Sequence, residues 1–474
     1  MSLLDLLALL PILILVFGGT AILMASAWYR EPRPLIAGGI ATALLGAVAA
    51  GLVQPPTAEI AGLFSAGAYA RFFTILWSLL AAAGLMVAAR FIIEKKIGAG
   101  EYVSLVLYAG AGMSLLSSAT HLLGLFLALE TFTLAFYILI ACNRRCELAA
   151  EAGLKYLLMG AVATGFMAFG IALIYASSGT LSLPEAVVQL SAATGELHAW
   201  GLLGWGLVLI AVGFKISLAP FHLWTPDVYQ GAPAPVGSLL ATGSKGAVVA
   251  ALVGLLAISG PVWHDLVALV WLLAALTMLV GAFSALGQRN LKRLLAYSSV
   301  THMGTLLVGL LCQTSAGFAA TTFYVVFYVI TSFGAFAVIA SFANDRGEPM
   351  EFDQWRGLGY RYPVRCGVLA LLLLSLAGLP ATAGFMAKFA IFDAALQSGY
   401  VGLVLIGVLS SVISFAFYLR VTVLLFQSDE PASDARWHVG TAYEHAVLAV
   451  CTFAVLLLGL FPGLLFALIG RILP

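Results

Sequence analysis

Long apolar runs decide the fold class of this chain. A membrane-spanning helix needs about 20 mostly apolar residues, and only 9% of the residues are charged, whereas a soluble domain carries about 25%. A chain with so few charges cannot cover a surface that faces water, and the alternation typical of membrane strands is missing. The sequence therefore predicts an all-α polytopic membrane protein with about fourteen spans. They lie near residues 5–27, 35–53, 72–93, 101–118, 121–142, 152–176, 200–225, 235–258, 264–287, 293–312, 316–342, 364–396, 400–427 and 441–469.

Polar links separate the runs without forming a second domain. The longer links are 54–70, 177–199, 343–363 and 428–440. The most charged of them, 343–363, is expected to lie in water, and none is long enough to fold alone. We therefore predict one antiporter-like transmembrane domain over residues 1–474. Its expected parts are three N-terminal helices (1–100), a first repeat (101–258), a second repeat (264–427) and a C-terminal helix (441–469).

Basic residues indicate the orientation of the chain. Short cytoplasmic loops of membrane proteins are rich in lysine and arginine. Most of the 22 lysines and arginines lie on or beside the odd-numbered predicted loops, as do Arg30, Lys95, Lys96, Arg144 and Arg145. With fourteen spans, this pattern predicts both termini on the non-cytoplasmic side.

The segment 211–246 combines a lysine and prolines at membrane depth. Lys215 precedes Pro220, which removes a backbone donor and frees a carbonyl one turn earlier. Broken backbone persists in a membrane only where it packs against protein or lines water. A lysine at the bilayer centre costs roughly 2.5–3.5 kcal/mol. We therefore predict that Lys215 faces a hydrated interior and exchanges protons; the alternative is a side chain that snorkels to the interface.

Three more ionisable side chains are predicted in mid-span. Lys245 lies among small residues of its span, and Lys388 follows a Pro- and Gly-containing interruption. Glu130 lies in the middle of an otherwise apolar run. A buried carboxylate either stays protonated or pairs with a cation, and we predict Lys215 as its partner. A protonated glutamate held by packing is the alternative.

Histidines supply two further candidates. His222 and His302 lie in predicted spans, and histidine can hand on a proton near neutral pH. A histidine satisfied within the core is the alternative for each. Glu151 and Lys155 are four residues apart, which predicts a plain surface ion pair on one helix face.

The sequence contains a faint internal repeat. The motif KISLAPFH at Lys215–His222 is echoed by LSLAGLPATAGFMAK at Leu374–Lys388. The two lie five predicted spans apart, so they would run in opposite directions, as interrupted helices do in transporters with inverted repeats. A chance match between two Ser/Ala/Pro runs is the alternative.

Motifs for cofactors and metals are missing from the sequence. It contains no GxGxxG, Walker A or HExxH pattern. The five cysteines include no CxxC pair, so neither zinc nor an iron–sulfur cluster is indicated. A net charge of +1 does not indicate nucleic acid. We therefore expect no cofactor and no metal in this chain, and the energy for transport must come from elsewhere.

Five motifs carry a family resemblance within about residues 100–425. They are GFKISLAPFHLWTPDVYQGAPAPVGSLLATGSK, ALETFTLAFYILIA, EAGLKYLLMG, NLKRLLAYSSVTHMG and LSLAGLPATAGFMAKF. Together they resemble subunit N of bacterial NADH-quinone oxidoreductase (respiratory complex I), an antiporter-like family. The resemblance implies fourteen transmembrane helices with two inverted five-helix repeats, each containing one interrupted helix.

The resemblance also implies a proton path along a polar axis in mid-membrane. The positions that match the family's axis are Glu130, Lys215, Lys245 and Lys388, with His222 and His302 as possible relays. In that interpretation Glu130 and Lys215 form the coupled pair. Lys245 is the central relay, and Lys388 is the gate towards one side.

Partners and location follow from the same resemblance. It implies a bacterial inner (cell) membrane, neighbouring antiporter-like and small subunits of complex I, and a quinone-reducing peripheral arm. NADH, FMN, iron–sulfur clusters and quinone would bind in partner subunits, whose quinone reduction would drive proton pumping here. The alternatives are a cation/proton antiporter subunit, the equivalent subunit of a hydrogenase or ferredoxin-linked complex, and a structural subunit with an idle path.

Overall fold

The chain is almost entirely helical where its structure is described, because lipid offers the backbone no hydrogen-bond partner outside the helix itself. The computed structural model describes residues 3–53, 59–259, 266–344, 347–427, 437 and 440–473. The first half contains α1 (Leu3–Ala25), α2 (Pro32–Leu52), α3 (Ala68–Glu94), α4 (Ala99–Ser117), α5 (Leu122–Ile140), α6 (Glu147–Ser178), α7 (Leu183–Ala192), α8 (Gly195–Lys215), α9 (Trp224–Gly231), α10 (Ala234–Leu239) and α11 (Lys245–Ser259).

The second half continues the helical bundle. It contains α12 (Val267–Leu286), α13 (Leu291–Leu311), α14 (Ser315–Ser341), α15 (Phe352–Trp355), α16 (Leu358–Arg361), α17 (Pro363–Ala377), α18 (Ala383–Gln397), α19 (Val401–Leu425), α20 (Ala442–Leu460) and α21 (Pro462–Ile472). A π-helical turn, Leu240–Ser244, joins α10 to α11. One antiparallel hairpin pairs β1 (Glu59–Ile60) with β2 (Phe64–Ser65).

The polytopic all-α fold is confirmed. Within the described ranges, 13 helices are long and apolar enough to cross a membrane, and α10, the π-turn and α11 count as one of them. The predicted span 364–396 consists of two shorter helices, α17 and α18, with an irregular segment between them. The inverted relationship between 101–258 and 264–427 stays a prediction.

Three predicted segments differ from the structure. The span 200–225 is helical only to Lys215, and its chain then runs irregularly to α9. The C-terminal helix 441–469 is divided into α20 and α21, because Pro462 begins a new helix and cannot continue the old one. The link 177–199 contains the short helix α7, which buries one face through Leu183, Ala186 and Leu190.

The charged link 343–363 is not simply exposed to water. Its backbone pairs with the start of α13, because Leu291 N donates to Met350 O (2.8 Å) and Phe352 N donates to Arg289 O (2.9 Å). Trp355 of this link is fully buried. The link therefore closes one end of the bundle. The predicted link 428–440 lies almost wholly outside the described residues, as do residues 54–58 of the first link.

The helices α11, α13 and α14 form the interior of the bundle. In an apolar 18-residue stretch of α13, and likewise in one of α14, 94% of the residues are buried. Glycines bring α12 and α13 into close contact: a Cβ on Gly281 would lie 2.6 Å from Thr301 N, and one on Gly304 would lie 2.8 Å from Met278 N. Small residues at such crossings let membrane helices pack closely, and here they hold the central helix that carries His302.

Candidate polar axis

The first broken helix ends at Lys215. Pro220 cannot donate to the helix, and the residue before a proline is pushed out of the helical region. The backbone freed by the break is satisfied by neighbouring side chains: Trp224 Nε1 donates to Phe214 O (2.9 Å), and Ala219 N donates to Thr277 Oγ1 (3.0 Å). The break is therefore packed against protein, which is the condition for irregular backbone inside a membrane.

Lys215 and Glu130 lie close together. The Lys215 ammonium is 3.9 Å from Glu130 Oε1 and donates a hydrogen bond to Thr133 Oγ1 at 3.0 Å. Thr164 of α6 donates to the same Glu130 oxygen at 2.8 Å. The exposed fraction of the side chain is 3% for Lys215 and 19% for Glu130. Three helices, α5, α6 and α8, thus meet at one charge pair inside the bundle, and the ammonium does not extend to the bundle surface.

Aromatic rings surround the Lys215 ammonium and extend to Lys245. The rings of Tyr137, Tyr156 and Phe214 have centroids 5.9 to 6.0 Å from Lys215 Nζ. The Trp224 ring packs on Tyr156 (4.8 Å) and on Phe214 (5.4 Å), and it also lies 5.8 Å from Lys245 Nζ. Ring faces attract cations, so one aromatic wall lies beside both ammonium groups.

Lys245 begins α11 directly after the π-helical turn. Turns of this kind occur often at functional sites because they redirect side chains. Its ammonium donates to Ser299 Oγ at 2.6 Å, and the Tyr328 hydroxyl donates to the same oxygen at 2.7 Å. All three side chains are buried. Ser299 and Tyr328 were not identified from the sequence, because serine and tyrosine are common in membrane helices and their spacing carries no signal.

His302 lies one turn beyond Ser299 on α13. Its Nδ1 is 2.7 Å from the hydroxyl of Tyr324, and its Nε2 is 3.3 Å from the hydroxyl of Tyr418. The Tyr418 hydroxyl also hydrogen-bonds Ser298. The ring of Tyr328 lies 5.5 Å from the His302 ring. Tyr328 therefore touches both the serine that binds Lys245 and this histidine.

Lys388 lies at the second broken helix. The helix α17 ends at Ala377, and Gly378 (φ 95°) and Ala381 (φ 67°) turn the chain into α18. The Lys388 ammonium donates to Ala377 O at 2.9 Å. It forms no ion pair with an acidic side chain among the described residues. The carbonyl end of α17, where the helix dipole is negative, therefore stabilises the protonated form of Lys388.

His222 stands apart from the other predicted residues. It lies in the first break, 8% exposed, with its ring 6.3 Å from that of Tyr297. Its Nδ1 has no hydrogen-bond partner among the described residues. The structure thus places Glu130 beside Lys215, and it connects Lys245 to the neighbourhood of His302 through Ser299 and Tyr328. Among the described residues, His222 forms no direct hydrogen bond to Lys215 or Lys245.

Two further charge clusters lie near the axis. Glu151 and Lys155 pair at 2.7 Å as predicted, but Lys155 also binds Asp227 at 2.8 Å, and Asp227 binds Arg293 at 2.7 Å. The predicted surface pair is therefore part of a network that joins α6, α9 and α13. Sequence spacing could not show this, because the partners come from distant helices.

Lys292 lies in the first turn of α13 and is fully buried. Its ammonium donates to Glu348 Oε2 at 2.8 Å and to Ala232 O at 2.6 Å, and Glu348 Oε1 accepts from Ala234 N at 2.7 Å. The link 343–363 folds over the start of α13 and brings Glu348 to Lys292. The pair therefore anchors the start of α10, which leads to Lys245.

Comparisons with known proteins identify the family. A family model described as NADH:quinone oxidoreductase/Mrp antiporter, TM, matches residues 119–414. NADH-quinone oxidoreductase subunit N of Syntrophotalea carbinolica is 46% identical and aligns over 99% of both chains. Subunit N of Geotalea uraniireducens is 43% identical over 100% of both chains. The chain belongs to the NADH-quinone oxidoreductase subunit N family.

The structure agrees with this membership in the subunit N family. A chain of respiratory complex I from Thermus thermophilus, solved with bound aureothin, matches it with a TM-score of 0.83 and 33% identity. The match covers 96% of this chain and 98% of that one. The family model by itself also covers Mrp antiporters, but the full-length relatives carry the subunit N name. The resemblance found in the sequence is thereby confirmed.

The side chains along the axis of this subunit N family member are of kinds that can exchange protons. Among the described residues, no group of three or more His, Cys, Asp or Glu side chains could hold a metal ion. The five cysteines are free thiols, and Cys312, Cys366 and Cys451 are buried. The groups along the axis are ammonium, carboxyl, hydroxyl and imidazole, all of which donate or accept protons.

Proposed function

We propose that the polar axis from Glu130 to Lys388 is the route by which this subunit moves protons. As a member of the subunit N family, the chain is a proton-translocating membrane subunit of NADH-quinone oxidoreductase. The proposal concerns which side chains do the work. The observation that carries it is the Lys215–Glu130 pair, a buried ammonium 3.9 Å from a partly buried carboxylate beside a broken helix.

Glu130 and Lys215 are proposed to act as the coupled pair. The carboxylate stabilises a proton on Lys215, and Thr133 and Thr164 hold the two groups in place through hydrogen bonds. A charge change next to Glu130 would weaken the pair, and Lys215 would then release its proton. Because an unpaired buried charge is costly, the protonation of Lys215 follows the state of Glu130.

Lys245 and His302 are proposed as the central relay. The Ser299 hydroxyl accepts from both Lys245 and Tyr328, and Tyr328 lies against His302. Hydroxyl groups can donate and accept at once, so Ser299 can take a proton from Lys245 while its own hydroxyl proton moves on. Tyr328 forms no hydrogen bond with His302 among the described residues, so a bridging water is required to carry that proton to the histidine. Since no hydrogen bond joins His302 to Lys388 in the described chain, that last step requires a bridging water.

Lys388 is proposed as the gate towards one side, and His222 as a further relay. Lys388 lies at the second break, held by a helix-end carbonyl that binds its protonated form. The Nδ1 atom of His222, which has no partner in the described chain, is available to a water molecule.

The setting of this axis is also proposed. We infer that the subunit lies in the bacterial inner membrane with both termini on the non-cytoplasmic side, beside the other membrane subunits of complex I. NADH, FMN, iron–sulfur clusters and quinone are assigned to partner subunits, where quinone reduction supplies the energy. The division into residues 1–100, the repeats 101–258 and 264–427, and the helix 441–469 belongs to the same proposal.

A pumping assay on the complete complex tests these roles. The complex is reconstituted into vesicles, and NADH-driven quinone reduction and proton uptake are recorded together for Lys215→Ala, Glu130→Ala and a matched control, Arg33→Ala. We expect protons moved per quinone reduced to fall strongly in the first two variants and to stay unchanged in the control. Unchanged pumping in Lys215→Ala and Glu130→Ala would mean that the path is idle. Sodium-dependent proton flux without NADH would instead support the antiporter alternative.

A further inference from the structure

A buried ion pair outside the polar axis lies where α9 meets α10. Lys292 of α13 and Glu348 of the link 343–363 approach to 2.8 Å, and their side chains are only 1% and 11% exposed. A buried pair of charges is costly unless further hydrogen bonds satisfy both partners. The roles proposed for the axis involve neither residue, so a different role must explain this pair.

Both side chains also bind the backbone between the two helices. Lys292 Nζ donates to Ala232 O, directly after α9, at 2.6 Å. Ala234 N, at the first residue of α10, donates to Glu348 Oε1 at 2.7 Å. Only Pro233 separates these two bonds along the chain. Hydrogen bonds to charged groups are roughly twice as strong as neutral ones, so the ion pair clamps the turn that joins α9 to α10.

The clamped turn leads to Lys245 in both chain directions. On one side, α9 carries Trp224 and Tyr229, whose ring centroids lie 5.8 and 5.1 Å from the Lys245 ammonium. On the other side, α10, the π-helical turn and α11 form one continuous helix, Ala234–Ala257, which carries Lys245 itself. A displacement of the turn would therefore move the lysine relative to its surroundings.

The helix α13 supplies the partner at both ends of this helix segment. It carries Lys292 and also Ser299, whose hydroxyl accepts from the Lys245 ammonium at 2.6 Å. Residues 292 and 299 are two helical turns, or about 10 Å, apart on one face of α13. The ion pair and the Lys245–Ser299 bond therefore fix the register between the two helices at two levels.

The π-helical turn makes this register important. The turn, Leu240–Ser244, lies between the clamp and Lys245. A π turn is rare and contains about one residue more than an α turn, so it persists only where the helix is held on both sides. Conversion to α geometry would rotate Lys245 by about 100° relative to the start of α10. The ammonium would then leave Ser299.

We propose that Lys292 and Glu348 are positioning residues for Lys245. Their clamp holds the start of α10 against α13 and maintains the π turn, which keeps the Lys245 ammonium on Ser299. Neither residue passes a proton along the axis. The effect on pumping rests on the relay role proposed for Lys245, whereas the effect on the Lys245–Ser299 contact does not.

The complete complex with Glu348→Ala in this subunit provides the test. A cryo-EM map should show Lys245 Nζ beyond hydrogen-bond distance of Ser299 Oγ. In vesicles, protons moved per quinone reduced should fall as far as they do in Lys245→Ala. The matched control is Asp353→Ala, which removes a carboxylate of the same link that is 82% exposed and should change neither quantity. The subunit composition of the purified complex reports assembly.

A double variant without charge separates positioning from proton transfer. Lys292→Met/Glu348→Gln leaves no buried charge unpaired, and the new amide oxygen can still accept from Ala234 N. We expect this variant to retain the Lys245–Ser299 contact and most of the pumping, although neither side chain can then titrate. It also decides between the two roles if Glu348→Ala does not assemble.

A second double variant tests whether the clamp acts through Ser299. Glu348→Ala and Ser299→Ala disrupt the same contact, so their combination should pump no worse than the more severe single variant. Effects of the two changes that simply add would mean that the clamp acts elsewhere.

Two further outcomes would overturn the proposal. One is an intact Lys245–Ser299 contact in the map of Glu348→Ala. The other is a loss of pumping in Lys292→Met/Glu348→Gln with that contact intact, which would make the pair part of the proton path. Normal pumping in Lys245→Ala, together with a displaced contact in Glu348→Ala, would refute the relay role alone and would support the positioning.

Discussion

The two broken helices hold their lysines in different ways. At the first break, Lys215 pairs with a carboxylate on another helix and with a threonine hydroxyl. At the second break, Lys388 donates to the carbonyl of Ala377, the last residue of α17, and has no acidic partner in the described residues. The first lysine is therefore coupled to a group that can itself change charge. The second is held by a permanent dipole.

Under the roles proposed for Lys215 and Lys388, this difference would separate two tasks within one subunit. A carboxylate partner lets an event outside the bundle alter the lysine, because Glu130 can be neutralised or displaced. A backbone carbonyl cannot change its charge, so the state of Lys388 depends on access to water and on neighbouring cations. The predictions below test this contrast.

Loss of the lysine should affect stability more at the first break than at the second. Lys215→Met leaves the partly buried Glu130 carboxylate without a cation, which costs up to about 3–5 kcal/mol. Lys388→Met leaves only a carbonyl unsatisfied, at about 1–3 kcal/mol. The measurement is the denaturant dependence of proteolysis of this subunit in the purified complex. Glu130→Gln should recover most of the loss in Lys215→Met, and an additive double variant would argue against direct pairing.

The second break should be more sensitive to added volume. A Cβ on Gly384 would lie 1.7 Å from Ser375 O, so Gly384→Ala must push α17 and α18 apart. We expect a loss of about 3 kcal/mol in stability, as in severe overpacking. The control is Gly367→Ala in α17, where nothing lies within 4 Å. The thermal stability of the subunit in the complex reports the difference, and equal stability of the two variants would contradict the close contact.

Removing the Thr133 hydroxyl beside Lys215 should have a smaller effect than the changes at the two breaks. Thr133→Val keeps the shape of the side chain and removes the hydrogen bond to the ammonium, which is worth about 1.5 kcal/mol. We expect slower proton uptake with unchanged quinone binding. Thr131→Val on the same helix is the control. Thr131 is exposed, and among the described residues its hydroxyl donates only to the backbone carbonyl of Leu127. The same proton uptake in both variants would show that Thr133 does not position Lys215.

The surface network should have the smallest effect. Lys155 and Asp227 are 41% and 39% exposed, so Lys155→Met should cost less than about 1 kcal/mol. The remaining effect should decrease as salt is added, because exposed charges are screened. Stability curves at low and high ionic strength measure this, and an effect that does not depend on salt would indicate that packing by Lys155 matters more than its charge.

Composition and apolar run length were enough to predict the membrane fold. They also located most spans within a few residues, since burial in lipid acts on every residue of a run. Prolines and glycines next to lysines marked both interruptions. The motifs also indicated the subunit N family, which the comparisons confirm.

Contacts between distant helices could be established only from the folded chain. Two examples are the hydrogen bonds that Ser299 accepts from Lys245 and Tyr328, and the ion pair of the buried Lys292 with Glu348. Each joins side chains from elements far apart in sequence. Runs and breaks are local properties, because they follow from the solvent and from the backbone of neighbouring residues. The partner of a buried charge is set by how the helices pack, and no local pattern encodes that packing.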